Sequence, residues 1–173
     1  MAAPSGLDDY LSEALEKGMA DIILAKCLSG KRRGELLWRE RLIWIGQPFA
    51  LSKRDAPIPL LALLRPSETR EVAEAALLAA HRTWTVAAEG DNLSGLLAAA
   101  QAGLGVMALG RNFVPQGLGE IPLSAGLPRL GTLDYVIDHS DRRVDPATHA
   151  FEEILRRFAK HLMTEHEAAT TEP

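Results

Sequence analysis

Apolar and polar positions between residues 84 and 109 alternate, break and resume in an order that predicts strand, loop, helix and strand. Trp84, Thr85 and Val86 alternate, and Glu89-Gly90-Asp91-Asn92 is polar. Leu93, Leu96, Leu97 and Ala100 then recur at helical spacing, and Gly103 stops the helix before the apolar run Gly105-Val106-Met107-Ala108-Leu109. A helix with one apolar stripe between two such strands makes a right-handed crossover. Loops that leave strand carboxyl ends and enter helix amino ends are where open α/β sheets hold ligands. Unpaired amides point outward there, and the helix dipole favours an anion.

The rest of the chain continues in mixed α/β fashion. Leu7, Leu11, Ala14 and Leu15 share one helical face, and Gly18 stands where a C-cap glycine belongs. Residues 21–26 read as a short buried strand and 29–34 as a polar, basic, solvated turn. A second strand spans 35–45, with Trp38, Leu42, Ile43, Trp44 and Ile45, and ends at Gly46-Gln47-Pro48. Residues 51–59 read as a crossing segment, 58–64 as another strand, and 67–80 as a helix with Ser67 at its N-cap and Glu68 and Glu71 in its first turn. The segment 111–130 is rich in proline and glycine and therefore irregular. Residues 133–137 alternate as a strand. Asp145-Pro146 opens a last helix whose Phe151, Ile154, Leu155, Phe158 and Leu162 form one apolar stripe, and the tail past Glu165 reads as disordered. This order predicts two α/β lobes joined by two extended crossing segments. Residues 1–56 and 131–166 form the first lobe, 57–130 the second and 167–173 a disordered tail, with a ligand cleft between the lobes.

Composition narrows the function classes. With 173 residues and 47% hydrophobic content the chain can bury a core. Its 23 acidic and 19 basic residues leave a net charge of −4, with Lys31-Arg32-Arg33 as the one basic run. Direct nucleic-acid contact is disfavoured, because phosphate neutralisation supplies most of such affinity. A single cysteine, Cys27, fits a reducing compartment. The acidic start lacks the basic end and apolar block of a secretion signal, and no run reaches the roughly 18 apolar residues of a bilayer span, so a cytoplasmic protein without a membrane is expected.

Five pieces in sequence carry a family resemblance. They are Leu11-x-x-x-Leu15-x-x-Gly18-x-x-Asp21-Ile22-Ile23; Leu42-Ile43-Trp44-Ile45; Pro59-Leu60 with Arg65-Pro66 and Arg70; Ala98-Ala99-Ala100-Gln101-Ala102-Gly103-Leu104-Gly105-Val106; and Leu127-Pro128 before Leu133. Their order and spacing resemble the effector-binding domain of LysR-type transcriptional regulators, from about residue 5 to residue 158. The resemblance implies a periplasmic-binding-protein-like (type II) fold and a small effector held between its lobes. A full regulator begins with a winged helix-turn-helix, and its effector domain opens with a strand, a helix and a second strand. This sequence starts after all of them, so a truncated regulatory domain with an incomplete first lobe is implied.

The residues expected to bind a ligand are Lys26, Ser67, Thr69, Gly90, Asp91 and Asn92. Ser67 and Thr69 would hydrogen-bond a carboxylate beside the amides of their turn, and Asp91 and Asn92 would read hydroxyl or amino groups. Lys26 ends the first strand at a position that the resembled family places at the cleft. The alternative for Ser67, Asp91 and Asn92 is that each caps its own helix; for Lys26, that it faces solvent; for Arg65 and Arg70, that they pair with Glu68 or Glu74. No catalytic residue, metal or cofactor is expected. His161 and His166 are five apart where same-face ligation needs three or four, and Cys27 reads as a packed thiol. Gly103-x-Gly105 follows a helix instead of preceding one, Gly30-Lys31 lacks the rest of a phosphate loop, and Ser94-Gly95 lacks the first glycine of a nucleophile elbow. Expected partners are a small-molecule effector, a carboxylate among the candidates, and a second copy or a full-length relative. A solute-binding protein of the same fold and a vestigial fragment are the competing readings.

Overall fold

The computed structural model describes residues 7–30, 34–51, 56–140 and 146–170, with side chains from 11 to 163. The basic run Lys31-Arg32-Arg33, most of the expected crossing segment and Asp145 lie outside the described residues. In chain order the elements are α1 (Leu7–Glu16), β1 (Ile22–Leu28), β2 (Glu35–Gly46), β3 (Ile58–Leu63), α2 (Glu68–Ala79), β4 (Trp84–Gly90), α3 (Leu93–Gln101), β5 (Val106–Gly110), β6 (Gly119–Glu120), β7 (Thr132–His139) and α4 (Pro146–Thr170). Short 3-10 turns occupy Pro48–Leu51, Arg111–Phe113 and Leu123–Ala125. The chain divides into two compact units, residues 1–40 with 133–173, and residues 41–132. The first division falls inside β2, between Glu40 and Arg41, and not at the expected residue 56, because one unbroken strand carries the chain from the first unit into the second.

In the first unit, β1 pairs antiparallel with β7 over its whole length, from Ile22 opposite His139 to Leu28 opposite Leu133, and β7 neighbours β2. The strand continues two residues beyond the expected end at Lys26. Alternation places Ala25, Cys27 and Val136 on one face against Leu11 of α1. Gly18, at φ +65°, closes α1 by donating its N–H to the Leu15 carbonyl at 2.9 Å, as its glycine position predicts. On the other face Trp38 stacks on Tyr135 with ring centroids 4.2 Å apart, and Ala159 and Leu162 of α4 close over them.

Two features of this unit differ from the sequence expectation. α4 continues to Thr170, into the stretch read as disordered; residues 147–170 contain no glycine or proline to stop it. Its inward stripe is Thr148, Glu152, Ala159 and Leu162, whereas Phe151, Ile154 and Phe158 are 45%, 55% and 46% exposed. The buried Glu152 accounts for the rotation, since its carboxylate lies 3.1 Å from Arg156 Nη1 and 3.5 Å from His139 Nδ1 on the sheet.

Asp134 is another buried charge that periodicity does not reveal. It is 1% exposed and accepts from Arg39 at 2.6 and 3.0 Å, from the Ser29 hydroxyl at 2.8 Å and from the Gly30 amide at 3.4 Å. The Arg39 hydrogen bonds, outweighing burial and helped by Ser29 and Gly30, hold its pKa down at about 2 from the usual 3.8. A depressed carboxylate pKa contributes stability that is complete above the unfolded value and is lost as pH falls toward the folded one. Acid unfolding should therefore show a loss of about 1–2 kcal/mol between pH 3.8 and about 2, discounted because Arg39 is half exposed. Asp134→Asn should remove that segment of the pH profile when stability is followed by circular dichroism.

In the second unit the strand order is β2-β5-β3-β4, with β6 on β2. β2 runs antiparallel to β5, and β3 runs parallel to both β4 and β5. Alternate residues of β3 enter two separate cores. Ile58, Leu60 and Ala62 join Ala73 and Leu77 of α2, whereas Leu61 joins Leu96 and Ala100 of α3. The two helices thus cover opposite faces of one sheet, the arrangement expected from two successive strand–helix–strand crossovers. Gly105 allows β5 to run beside β3, since a Cβ there would press on the Pro59 carbonyl oxygen and on Leu61. The irregular segment before β7 is anchored by Trp44, whose Nε1 donates to the Pro128 carbonyl at 2.8 Å, and by Arg82, which donates to the Gly126 carbonyl.

Candidate functional site

The second unit brings five of the six expected residues to one edge. β3 and β4 are adjacent and parallel, Leu63 sits opposite Gly90, and the Leu64 amide donates to the Gly90 carbonyl at 2.8 Å. From that common end β3 turns through a cis Arg65–Pro66 peptide into α2 on one face, and β4 turns through Asp91 and Asn92 into α3 on the other. Neighbouring strands whose outgoing connections diverge to opposite faces leave a crevice outside their carboxyl ends, the usual position for a ligand in an open α/β sheet. Lys26 is not among these residues. It belongs to the first unit, half-buried inside β1 opposite Tyr135.

Ser67 does cap α2. Its backbone is extended, its hydroxyl accepts from the Arg70 amide at 3.4 Å, and it lies 3.1 Å from the Thr69 hydroxyl. Asn92 caps α3 in the same manner, its side-chain oxygen accepting from the Gly95 amide at 2.9 Å. Asp91 is exposed beside it. Gly90, expected in the loop, is instead the last residue of β4, because strand pairing with β3 extends through it. An enclosed void of about 10 Å³ lies under the α2 turn, bounded by Leu61, Leu63, Thr69, Arg70 and Met107 among others. It is too small for anything beyond a water molecule.

Arg70 is the residue whose importance the sequence pattern understates. Its side chain is 10% exposed, and it donates to the Leu63 carbonyl at 3.1 Å, to Glu74 Oε1 at 2.8 Å and to Glu89 near the end of β4. Hydrogen bonds to Glu74 and then to Glu89 raise its pKa. Arg65 also pairs with Glu74. One guanidinium therefore ties the ends of β3 and β4 to the first turns of α2, and both nearby cations already have carboxylate partners. An anion at this edge would be met by backbone amides and by the Thr69 hydroxyl, since Ser67 is 5% exposed and its hydroxyl is engaged within the turn.

An open recess of about 410 Å³ occupies a different part of the unit, lined by Leu78, His81, Arg82, Thr83 and Trp84 at the far end of α2 and the start of β4. Among the described residues no group of three metal-ligating side chains converges, and no helix is long and apolar enough to cross a membrane.

The chain is similar to known proteins over most of its length. It is 29% identical over 147 residues to the HTH-type transcriptional regulator DgdR of Burkholderia cepacia, a match that covers 84% of this chain and 50% of that protein. The chain thus spans about half the length of this curated relative. Among solved structures, the bromide-bound regulatory domain of HypT from Salmonella typhimurium superposes with a TM-score of 0.65 at 17% identity, covering 90% of this chain and 80% of that one. The regulatory domain of CcmR from Synechocystis PCC6803, in complex with 2-PG, superposes with a TM-score of 0.57 at 14% identity, covering 87% and 79%. At these identities the structures establish a shared fold, that of type II periplasmic-binding-protein-like regulatory domains. The family described as the LysR substrate binding domain matches residues 5–160, and the chain belongs to that family.

Proposed function

We propose that this chain is an effector-sensing regulatory domain of a LysR-type transcriptional regulator and that its effector is a small carboxylate or similar anion. The observation that carries the reading is the convergence of the α2 and α3 amino ends beside the paired ends of β3 and β4. The edge offers amides, the Thr69 hydroxyl and the polar groups of Asp91 and Asn92. Binding, without turnover, is the chemistry that such a set supports. The bromide-bound state named for HypT and the 2-PG complex named for CcmR are consistent with a domain of this fold that takes small ions and molecules. A ligand that prefers one arrangement of the domain shifts its population. An attached DNA-binding module in the cytoplasm, in the same chain or in a full-length relative, would read that shift. Lys26 is a further proposed contact, on the first unit.

Thermal melting and calorimetry with a panel of small mono- and dicarboxylates test this. At least one should raise the melting temperature and bind with a measurable heat. Thr69→Val, which removes the hydroxyl at nearly constant volume, should weaken that ligand at least tenfold, about 1.4 kcal/mol, with the unliganded melting temperature almost unchanged. Absence of binding across the panel would overturn the reading, and so would indifference to Thr69→Val.

A further inference from the structure

The open recess at the carboxyl end of α2 is separate from the ligand edge. α2 is 12 residues long, so roughly 18 Å of helix lies between the recess and the turn at Ser67. At about 410 Å³ the recess has the volume of a small-molecule site. One wall is aromatic and aliphatic. Trp38 and Trp44 are buried in the cores, whereas Trp84 packs against the α2 core yet remains half-exposed, and it lines the recess together with the exposed Leu78. The other wall is basic. Among the described lining residues there is one guanidinium, one imidazole and no carboxylate. Arg82 is positioned there by donating to the Gly126 carbonyl. The carbonyls that a helix end would otherwise expose are engaged, with Leu77 and Leu78 accepting from the Arg82 and His81 amides at 2.9 and 3.0 Å. His81 itself has φ +53°, the one left-handed residue other than glycine among the described residues. It closes the helix at a position where glycine is the usual residue, so an imidazole is kept where its loss would relieve the backbone.

We infer that this recess is a second small-molecule site and that it takes a planar aromatic anion, with its ring against Trp84 and Leu78 and its anionic oxygens on Arg82 and His81. An aryl carboxylate of one or two rings combines both features. The ring gains stacking and apolar contact on the indole, which an aliphatic carboxylate lacks. The carboxylate gains charge-assisted hydrogen bonds from a planar guanidinium, which a neutral ring forgoes. Because the recess and the edge at Ser67 lie at opposite ends of α2, both can be occupied at once.

Two-dimensional NMR of the whole chain, titrated with benzoate and naphthoate, tests the proposal, with acetate and benzyl alcohol as the ringless and uncharged comparisons. At least one aryl carboxylate should shift the Trp84 indole signal and the His81, Arg82 and Thr83 amides with a Kd of about 1 mM or tighter, and both comparisons should bind there about tenfold or more weakly. Leu78→Glu places a carboxylate in the recess at an exposed position, so it should weaken the aryl ligand about tenfold or more while the circular dichroism spectrum is retained. His81→Gly should weaken the same ligand about fivefold or more and keep or raise the melting temperature. Thr69→Val, at the other end of α2, should leave these shifts unchanged, which separates this site from the carboxylate edge. Unmoved Trp84 and His81 signals with both aryl carboxylates would overturn the proposal, as would equal binding of acetate or benzyl alcohol, or indifference to Leu78→Glu. A lower melting temperature for His81→Gly with aryl binding intact would assign the imidazole to the helix dipole and overturn it as well.

Discussion

Leu77→Ala should cost the second unit about 3–4 kcal/mol in chemical denaturation. Leu77 is fully buried, packed with Leu60, Ala62, Ala73 and Val106 where α2 crosses its face of the sheet. Removing its branched end deletes transfer free energy and leaves a cavity between a helix and strands that cannot collapse onto each other. Because α2 is also the helix that presents Ser67 and Thr69, the variant should bind carboxylate more weakly as well as melt earlier. Leu78→Ala on the same helix is the control. It is 69% exposed and should change stability by less than about 0.5 kcal/mol.

Arg70→Ala should lower stability by about 2–3 kcal/mol and abolish measurable effector binding. The arginine satisfies three acceptors, the Leu63 carbonyl, Glu74 and Glu89, with its side chain 10% exposed. Its removal leaves Glu74, 15% exposed, facing Glu89 without the intervening cation, and leaves the end of β3 unattached to α2. Arg70→Lys should recover little, because one ammonium cannot reproduce the planar fork that reaches a carbonyl and two carboxylates at once. Near-normal stability of Arg70→Ala in denaturant titrations would contradict the assignment of Arg70 as the tie between the strand ends.

These expectations separate what one-dimensional pattern carries from what it does not. The helix from 93 and the strands around it are legible because Leu96 and Ala100 recur at helical spacing, Asn92 and Ser67 stand at cap positions, and every residue of β5 is apolar. All of those signals are local. The extension of β4 through Gly90 is not local, since it depends on pairing with Leu63 of a different strand. α4 is rotated from its apparent apolar stripe for the same kind of reason: Glu152 is drawn inward by Arg156 and His139, and a periodicity count assigns a glutamate to solvent. Asp134 looks like the polar member of an alternating strand until Arg39, Ser29 and Gly30 are placed around it by tertiary structure.

At the candidate site the cap positions of Ser67 and Asn92 follow from their residue types, and their adjacency follows from the parallel pairing of β3 with β4. The partners of Arg65 and Arg70 were open between Glu68 and Glu74; Glu74 takes both. The link from Arg70 to Glu89 had no signal at all, as it joins residues nineteen apart through a turn of the sheet.

The central claim is that small anions are held at the outer side of the α2 and α3 amino ends. Two-dimensional amide NMR of the whole chain, titrated with the carboxylate that most raises its melting temperature, tests this directly. The account predicts that the largest amide shifts fall at Glu68, Thr69 and Arg70 and at Leu93, Ser94 and Gly95. Largest shifts at the recess formed by His81, Arg82 and Trp84, with those turns unmoved, would contradict it.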